Sequence, residues 1–444
     1  MFELDFQTPI PSVQRAKSIL LAQNKRFGIM LDYDRMLEYE AHYTLLSSKT
    51  FKSVKSYLFP MSRAGIELND NVILDFLERN NFAGNLLLTD SGRRSLSEDS
   101  VEAAISTGAI SEEVKVLLRS YVKAKHYRKL VSAFPTIYSK AYGVSKAETF
   151  DNHRMLILRP DWKEQNTGRL ATANPGTLNI SKEVGDIFTV PKGWVYVGVD
   201  SGQIEPRIIQ SFVLRDPQLK KCTMMYNDAY FGYIHYCTVL TDEERRSGTL
   251  DLTPIEITDE MKAKRAKFKT YGNATMYGST ENREGDPDKD AFIRYIGGHP
   301  NRLKLVADID RKLMNGVRVF PTAFGTEIDI TNGPSDNVYK DKTSRAYHEH
   351  LIRCAINNPI QGTAGDLMRY SIEKAQNLLL RKAPNSYIMQ YVHDAGKFAI
   401  HEKDYDNVID DIREIVAYQV DDWIPVYAEA EEGVHRTSLK RFVE

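Results

Sequence analysis

Hydrophobic and polar positions alternate most cleanly over residues 195–200, where Val195, Val197 and Val199 interleave with Tyr196, Gly198 and Asp200. That period of two, with β-branched residues on one side, predicts a half-buried strand. The alternation ends at Asp200, and Ser201-Gly202 lets the backbone turn, so a carboxylate is placed at the strand tip. A second apolar run, Ser386 to His393, and a third, Lys397 to His401, predict two more strands joined by a hairpin-like turn through Asp394-Ala395-Gly396. A final strand is expected near Pro425 to Ala430. Helical spacing predominates elsewhere: Val13 to Asn24, Met36 to Leu46, Leu74 to Asn80, a long stretch from Ser111, then much of Phe212 to His350, Ala364 to Leu380 and Tyr405 to Tyr418. Ser97, followed by Glu98 and Asp99, reads as a helix cap. Polar loops are expected at Gly278 to Asp290 and Thr331 to Arg345, and the turn-rich segment Gly143 to Gly168 reads as a boundary.

Composition changes this picture little. With 444 residues, 42% hydrophobic and 27% charged, the chain can build two or three domain-sized cores. Lys plus Arg (59) nearly balances Asp plus Glu (60), so overall charge predicts no polyanionic partner and only local patches bear on one. One patch lies between Leu117 and Tyr142, where Arg119, Lys123, Lys125, Arg128, Lys129 and Lys140 occur among tyrosines without an acid. Such a helix suits a phosphate backbone. By contrast, Glu402 to Glu432 has only Lys403 and Arg413 against a run of acids, a face turned from nucleic acid. Cys222, Cys237 and Cys354 have no metal-binding spacing and suggest free thiols. No apolar run approaches the ~18 residues of a membrane span, and a cytoplasmic, nucleoid-associated protein is expected.

Two acids at two strand tips form a candidate divalent-cation site, since Mg²⁺ needs only one or two carboxylates when substrate phosphates and water complete its shell. Arg265, Lys269, Asn273 and Tyr277 recur at intervals of four and share a helical face, which suits a triphosphate gripped by a fork and a point charge, with an aromatic ring near the base. Gly272 within that helix suggests a close approach or a bend. No GxxxxGK[ST] phosphate loop occurs. Each feature alone has a plain structural explanation: a turn-forming Asp, a solvated basic helix, a core histidine. Their combination does not.

Taken in order, these stretches resemble family A DNA polymerases of the DNA polymerase I type over roughly residues 27 to 435. Asp200-Ser201-Gly202-Gln203-Ile204-Glu205-Pro206-Arg207 is similar to motif A, Arg265-x3-Lys269-x7-Tyr277-Gly278 to motif B, and Val392-His393-Asp394 to motif C. Thr167-Gly168-Arg169-Leu170 is similar to the segment opening the palm, Ile234-His235 to a histidine of the fingers, and Arg353 to Ala364 to a helix that tracks the minor groove. Gly28 to Asp32 and Leu96-Ser97-Glu98 resemble thumb landmarks.

The resemblance implies an α+β, right-hand polymerase fold: an N-terminal extension (1–26), thumb (27–150), palm (151–211 and 351–444) and fingers (212–350). It implies template-directed addition of dNTPs to a primer 3′-OH by two Mg²⁺ ions, with Mn²⁺ able to substitute. Asp200 and Asp394 would be the catalytic ligands, joined by the Ser201 carbonyl. Arg265, Lys269, His235, Gln203, Asn273 and Tyr277 would surround the nucleotide, and Arg169, Arg353, Asn357, Gln361 and His393 the primer-template. Glu205 would occupy the space of a ribose 2′-OH, which separates this reading from single-subunit RNA polymerases. A catalytically silent DNA-binding scaffold is the other alternative, motivated by Ala395 in place of a second motif C acid and by Asn273 where an aromatic is usual. Gly176 and Leu178 also depart from the family's polar residues. About 26 residues precede the thumb-like segment, so no proofreading exonuclease is expected within the chain; a compact viral or phage enzyme, monomeric, with separate exonuclease, helicase or primase partners, is the corresponding expectation.

Overall fold

In the computed structural model, Val195, Val197 and Val199 lie on the core face of strand β1 (Trp194–Ser201), all at most 4% exposed. Each buried valine contributes on the order of 1.5–3 kcal/mol relative to an exposed one, so this face fixes the strand's register. The structure describes residues 2–58, 69–82, 86, 94–106, 110–141, 149–150, 153–177, 180–247, 253–276, 285–331, 341–392, 394–421 and 423–435. Contacts divide the chain into two units, the first comprising Met1–Gly28, Pro160–Ala173 and Val190–Glu444, the second Ile29–Arg159 and Asn174–Thr189.

Following β1, the first unit carries the short helix α1 (Ile204–Ile208), α2 (Ala229–Ile234), α3 (Asp259–Met276) and the 38-residue α4 (Arg345–Lys382). Strands β2 (Tyr387–Val392) and β3 (Ala395–His401), helix α5 (Tyr405–Ile415) and strand β4 (Ala428–His435) complete its frame. The strands form one antiparallel sheet in the order β2-β3-β1-β4. Apolar residues of α4 (Met368, Ile372, Leu379) and α5 (Val408, Ile412) join the valines of β1 and Ile388 and Phe398 of the hairpin in one core. Ala16 and Leu20, from the helix Val13–Arg26, enter the same core, so this segment is part of the sheet's packing rather than a bare extension. Asn24 fixes it there: its amide donates to the Met389 carbonyl and its oxygen accepts from the Trp162 indole. A second core gathers around Phe268, Phe292, Tyr233 and the start of α4.

Three expectations change here. Residues 345–382 form a single helix that crosses the anticipated fingers-to-palm boundary, with Pro359 inside it. Phe212 to His350 is not wholly helical, since Val319–Pro321 pairs with Glu327–Asp329 in a hairpin too short to show periodicity. The boundary segment contains the strands His153–Leu158, with the unalternating apolar run Met155 to Leu158, and Asp161–Glu164, with the single apolar residue Trp162.

The second unit is helical around a small sheet, with the helices Tyr33–Leu58 and Glu112–Val131 as its long elements. Its basic helix is less bare than its sequence: Arg119 pairs with Glu102 and Lys125 with Asp70, acids supplied by neighbouring helices. Among the described residues no helix is long and apolar enough to cross a membrane.

Candidate active site

Asp200 ends β1 beside the β2-β3 hairpin. Val392 pairs with Ala395, so the connection is tighter than the Asp-Ala-Gly turn expected, and Ala395 and Gly396 are already in the ladder. Ala395 is the register partner of Asp200, and the Ser201 amide donates to the Asp394 carbonyl at 3.1 Å. The two strand tips are therefore hydrogen-bonded together at the residues that carry the acids. Burial pushes the Asp394 carboxyl up to about 6; Glu205 and Asp200 act in the same direction, and Arg169 opposes them. This carboxylate is under-compensated, as expected where a cation is to be held.

Arg169 stands among these acids. It is 8% exposed, and its Nη2 lies 2.6 Å from Glu205 Oε1 and 3.2 Å from Asp394 Oδ1. The sequence placed it only against a primer-template; the structure brings it to Glu205 and Asp394. Its backbone is fixed by a hairpin, since Gln165 and Gly168 bond within the turn and the Gly168 carbonyl accepts from Arg369. Arg369 in turn pairs with the buried Asp366 of α4, which also accepts from Thr322 and Thr326.

Gln203, not Gly202, makes the turn between β1 and α1, adopting φ 56°, ψ 40°. A non-glycine residue in this left-handed region is held by its surroundings. The Gln203 amide donates to Asp228 at 2.7 Å and accepts from the Ala229 amide at 2.7 Å. Pro206 follows within the first turn of α1, where its missing N–H costs nothing, and the Gly202 amide donates to the Tyr427 carbonyl at 2.8 Å. Glu205 occupies that same first turn, with its carboxylate on Arg169.

Helix α3 carries Arg265 and Lys269. Arg265 reaches Asp228, with Nε and Nη2 at 2.8 and 2.7 Å, and lies over Tyr230 and Phe231. Lys269 is exposed one turn later and Asn273 continues the same helix, while Tyr277 and His393 lie outside the described residues. The expectation for Gly272 is not met: the helix runs on unbroken, and a Cβ there would meet Tyr230 and Phe292 at 3.8 and 3.9 Å, ordinary contacts. His235 is 3% exposed, opens a π-turn, and bonds through Nδ1 to the Tyr226 hydroxyl at 2.9 Å. Burial lowers its pKa against the pull of Glu244, which favours a neutral ring. Arg353, Asn357 and Gln361 lie at four-residue intervals on α4, and Asn357 Oδ1 is buried without a hydrogen-bond partner among the described residues.

Two groups escaped the sequence reading. Asp228 carries the signal of a helix cap, an acid after Asn227 and before an apolar run, and nothing in that signal ties it to Gln203 or Arg265. Asp366 and Arg369 are three apart on a helix, a pattern that normally marks an exposed pair and here is fully buried. Among the described residues, no group of three or more His, Cys, Asp or Glu is arranged as a metal cage. Asp200 and Asp394 nevertheless suit a hard cation, being oxygen donors at adjacent strand tips with one of them poorly neutralised.

The polymerase (POL) domain of Pol1 from M. smegmatis, solved in complex with DNA primer-template and dNTP, superposes with a TM-score of 0.71 at 17% identity, over 96% of this chain and 70% of that one. An antiparallel sheet with acid-bearing tips, flanked by helices, thus has the α+β fold of a right-hand polymerase domain. No family model matches the chain. DNA polymerase I from Thermus filiformis is 27% identical over 292 residues, covering 62% of this chain and 31% of that protein. The Thermus aquaticus enzyme is 24% identical over 380 residues, covering 82% and 40%, and that of Pseudomonas aeruginosa 23% over 286, covering 60% and 28%. The chain is similar to DNA polymerase I, the family A type that its motifs resemble. It spans about a third of the length of these relatives.

Proposed function

We propose that the chain is a template-directed DNA polymerase that adds dNTPs to the 3′-OH of a primed DNA template. The observation that carries this reading is the convergence of Asp200 and Asp394 at hydrogen-bonded strand tips, with Glu205 tied to the same cluster through Arg169. The thumb, palm and fingers divisions named above remain part of the proposal, with nearly all of the thumb range in the second unit.

In this reading Asp200 and Asp394, with the Ser201 backbone carbonyl, hold Mg²⁺. When bound, the metal activates the primer hydroxyl and neutralises charge on the reacting phosphate and departing pyrophosphate. The protein's own groups do the rest. Arg265 and Lys269, one turn apart on α3, bind the triphosphate, and His235, whose burial favours the neutral ring, joins them as a hydrogen-bonding rather than charged group. Gln203 and Asn273 join them at the nucleotide, and Tyr277 stacks at the templating pair. Glu205 fills the space of a 2′-OH, and Arg169 keeps its carboxylate from swinging away, which makes the filter rigid. Arg353, Asn357 and Gln361 present a polar stripe from α4 to the minor groove, with the orphan Asn357 oxygen as one group awaiting a partner, and His393 meets the primer terminus.

Extension of a primed template by wild-type protein and by Asp200→Ala, with Mg²⁺ and either dNTPs or rNTPs, tests this. Wild type should extend with dNTPs, and the variant should lose about 10³-fold or more, the scale seen when developing charge loses its partner. Extension that survives in Asp200→Ala sinks the metal assignment. No extension by wild type favours the silent scaffold.

A further inference from the structure

The carboxylate of Asp228 has two oxygens with separate duties. Oδ1 accepts from the amides of Tyr230 and Phe231, both at 2.9 Å, and so caps α2. Oδ2 accepts from the Gln203 side chain at 2.7 Å and from Arg265 Nε and Nη2 at 2.8 and 2.7 Å. One carboxylate therefore joins the turn that follows Asp200, the N-terminus of α2 and the cation of α3. The Asp228 side chain is 13% exposed and that of Arg265 32%, so this pair is shielded on the acid's side and open on the arginine's. Tyr230 and Phe231, whose amides Oδ1 receives, also lie under the guanidinium, at 5.3 and 5.7 Å. Carboxylate and rings together leave the guanidinium one orientation. Its Nε and Nη2 are engaged on Asp228, and among the described residues Nη1 is the corner left over.

We propose that Asp228 is a positioning residue of the nucleotide site: it holds the Arg265 fork edge-on, so that Nη1 is presented to the anionic oxygens of a triphosphate, and locks Gln203 into the same frame. This rests on the polymerase reading for the identity of the ligand. A planar fork gains by such an arrangement, because an arginine already ordered by a carboxylate and two rings loses little rotamer freedom on meeting phosphate. An acid beside a phosphate-binding arginine weakens the bare electrostatic attraction, so Asp228 aids that arginine only if orientation outweighs charge. That makes the sign of the test informative.

Asp228→Asn keeps an oxygen for the helix cap but cannot hold the arginine with charge, and Asp228→Ser offers a hydroxyl for the same cap. For both, primer extension should show KM for dNTP raised about tenfold, the loss of one charge-assisted contact, with kcat within about threefold. In an Arg265→Lys background, which has no fork to orient, Asp228→Asn should add less than about twofold, a coupling that a merely structural role would not produce. Unchanged or lowered KM in Asp228→Asn, effects that multiply with Arg265→Lys, or a loss confined to kcat together with melting temperature would each overturn the proposal. Should wild type fail to extend a primer, the polymerase reading falls. The positioning proposal is then decided by equilibrium binding of a fluorescent deoxynucleoside triphosphate: a tenfold weakening in Asp228→Asn upholds it, and equal binding or none by wild type refutes it.

Discussion

Glu205 is fixed on Arg169 at 2.6 Å, and in the proposed reading that contact decides which sugar is admitted. Removing the carboxylate by Glu205→Ala should raise rNTP incorporation relative to dNTP by about tenfold or more, because a rigid obstacle is replaced by space for a hydroxyl. Competition between the two nucleotides in primer extension measures it, and an unchanged ratio would refute the assignment. Gly272 offers an opposite kind of test. Its helix is continuous and a Cβ would find ordinary contacts with Tyr230 and Phe292, so Gly272→Ala should stabilise the protein by about 0.5–1 kcal/mol through helix propensity alone. A denaturation midpoint that falls instead would show that the glycine relieves a contact these distances do not reveal.

Buried charge matters more among whole elements. Helix α4 buries Asp366 and Arg369 at 0% and 2% exposure, and through them grips Thr322 and Thr326 of the 319–329 hairpin, the Pro11 carbonyl and the Gly168 carbonyl next to Arg169. Arg369→Met strands an acid whose pKa burial already raises, and should cost about 3–5 kcal/mol in chemical denaturation. Adding Asp366→Leu should recover part of that loss; if the double variant is no better than the single one, the pair is not the source of the cost. This node also shows the limit of the sequence. Strand β1, both acid tips and the helix that carries Arg265 and Lys269 were legible because periodicity and turn chemistry are local. The placement of Arg169 among the acids was not, because it depends on Gly168 being held by a helix two hundred residues later, in which a Cβ at position 365 would come within 3.3 Å of Arg169 Cγ and glycine leaves that space open. Likewise the basic run from Arg119 to Lys129 looked uncompensated only because Glu102 and Asp70 come from other helices.

At the scale of the molecule, the first unit is assembled from three separate stretches of chain, and its sheet is closed on one side by β4. Ending the chain at Tyr427 would leave the β1 edge, with Asp200 in it, unpaired opposite β3. Such a variant should associate in a concentration-dependent way, since an open strand edge is a template for another chain, and size exclusion with light scattering would detect it. A monodisperse product with unaltered stability would show that β4 is dispensable to the sheet. The same pairing has a consequence for synthesis. β1 leaves the ribosome more than two hundred residues before β4, and the residues between include both hairpin strands that flank it on its other side. The acid-bearing strand therefore waits without a sheet partner until β3 is made, and half-partnered until β4 follows, whereas the unit built largely from residues 29–159 has its own core and long helices in hand early. In the proposed reading, the sheet that carries Asp200 is complete only once β4 has been added.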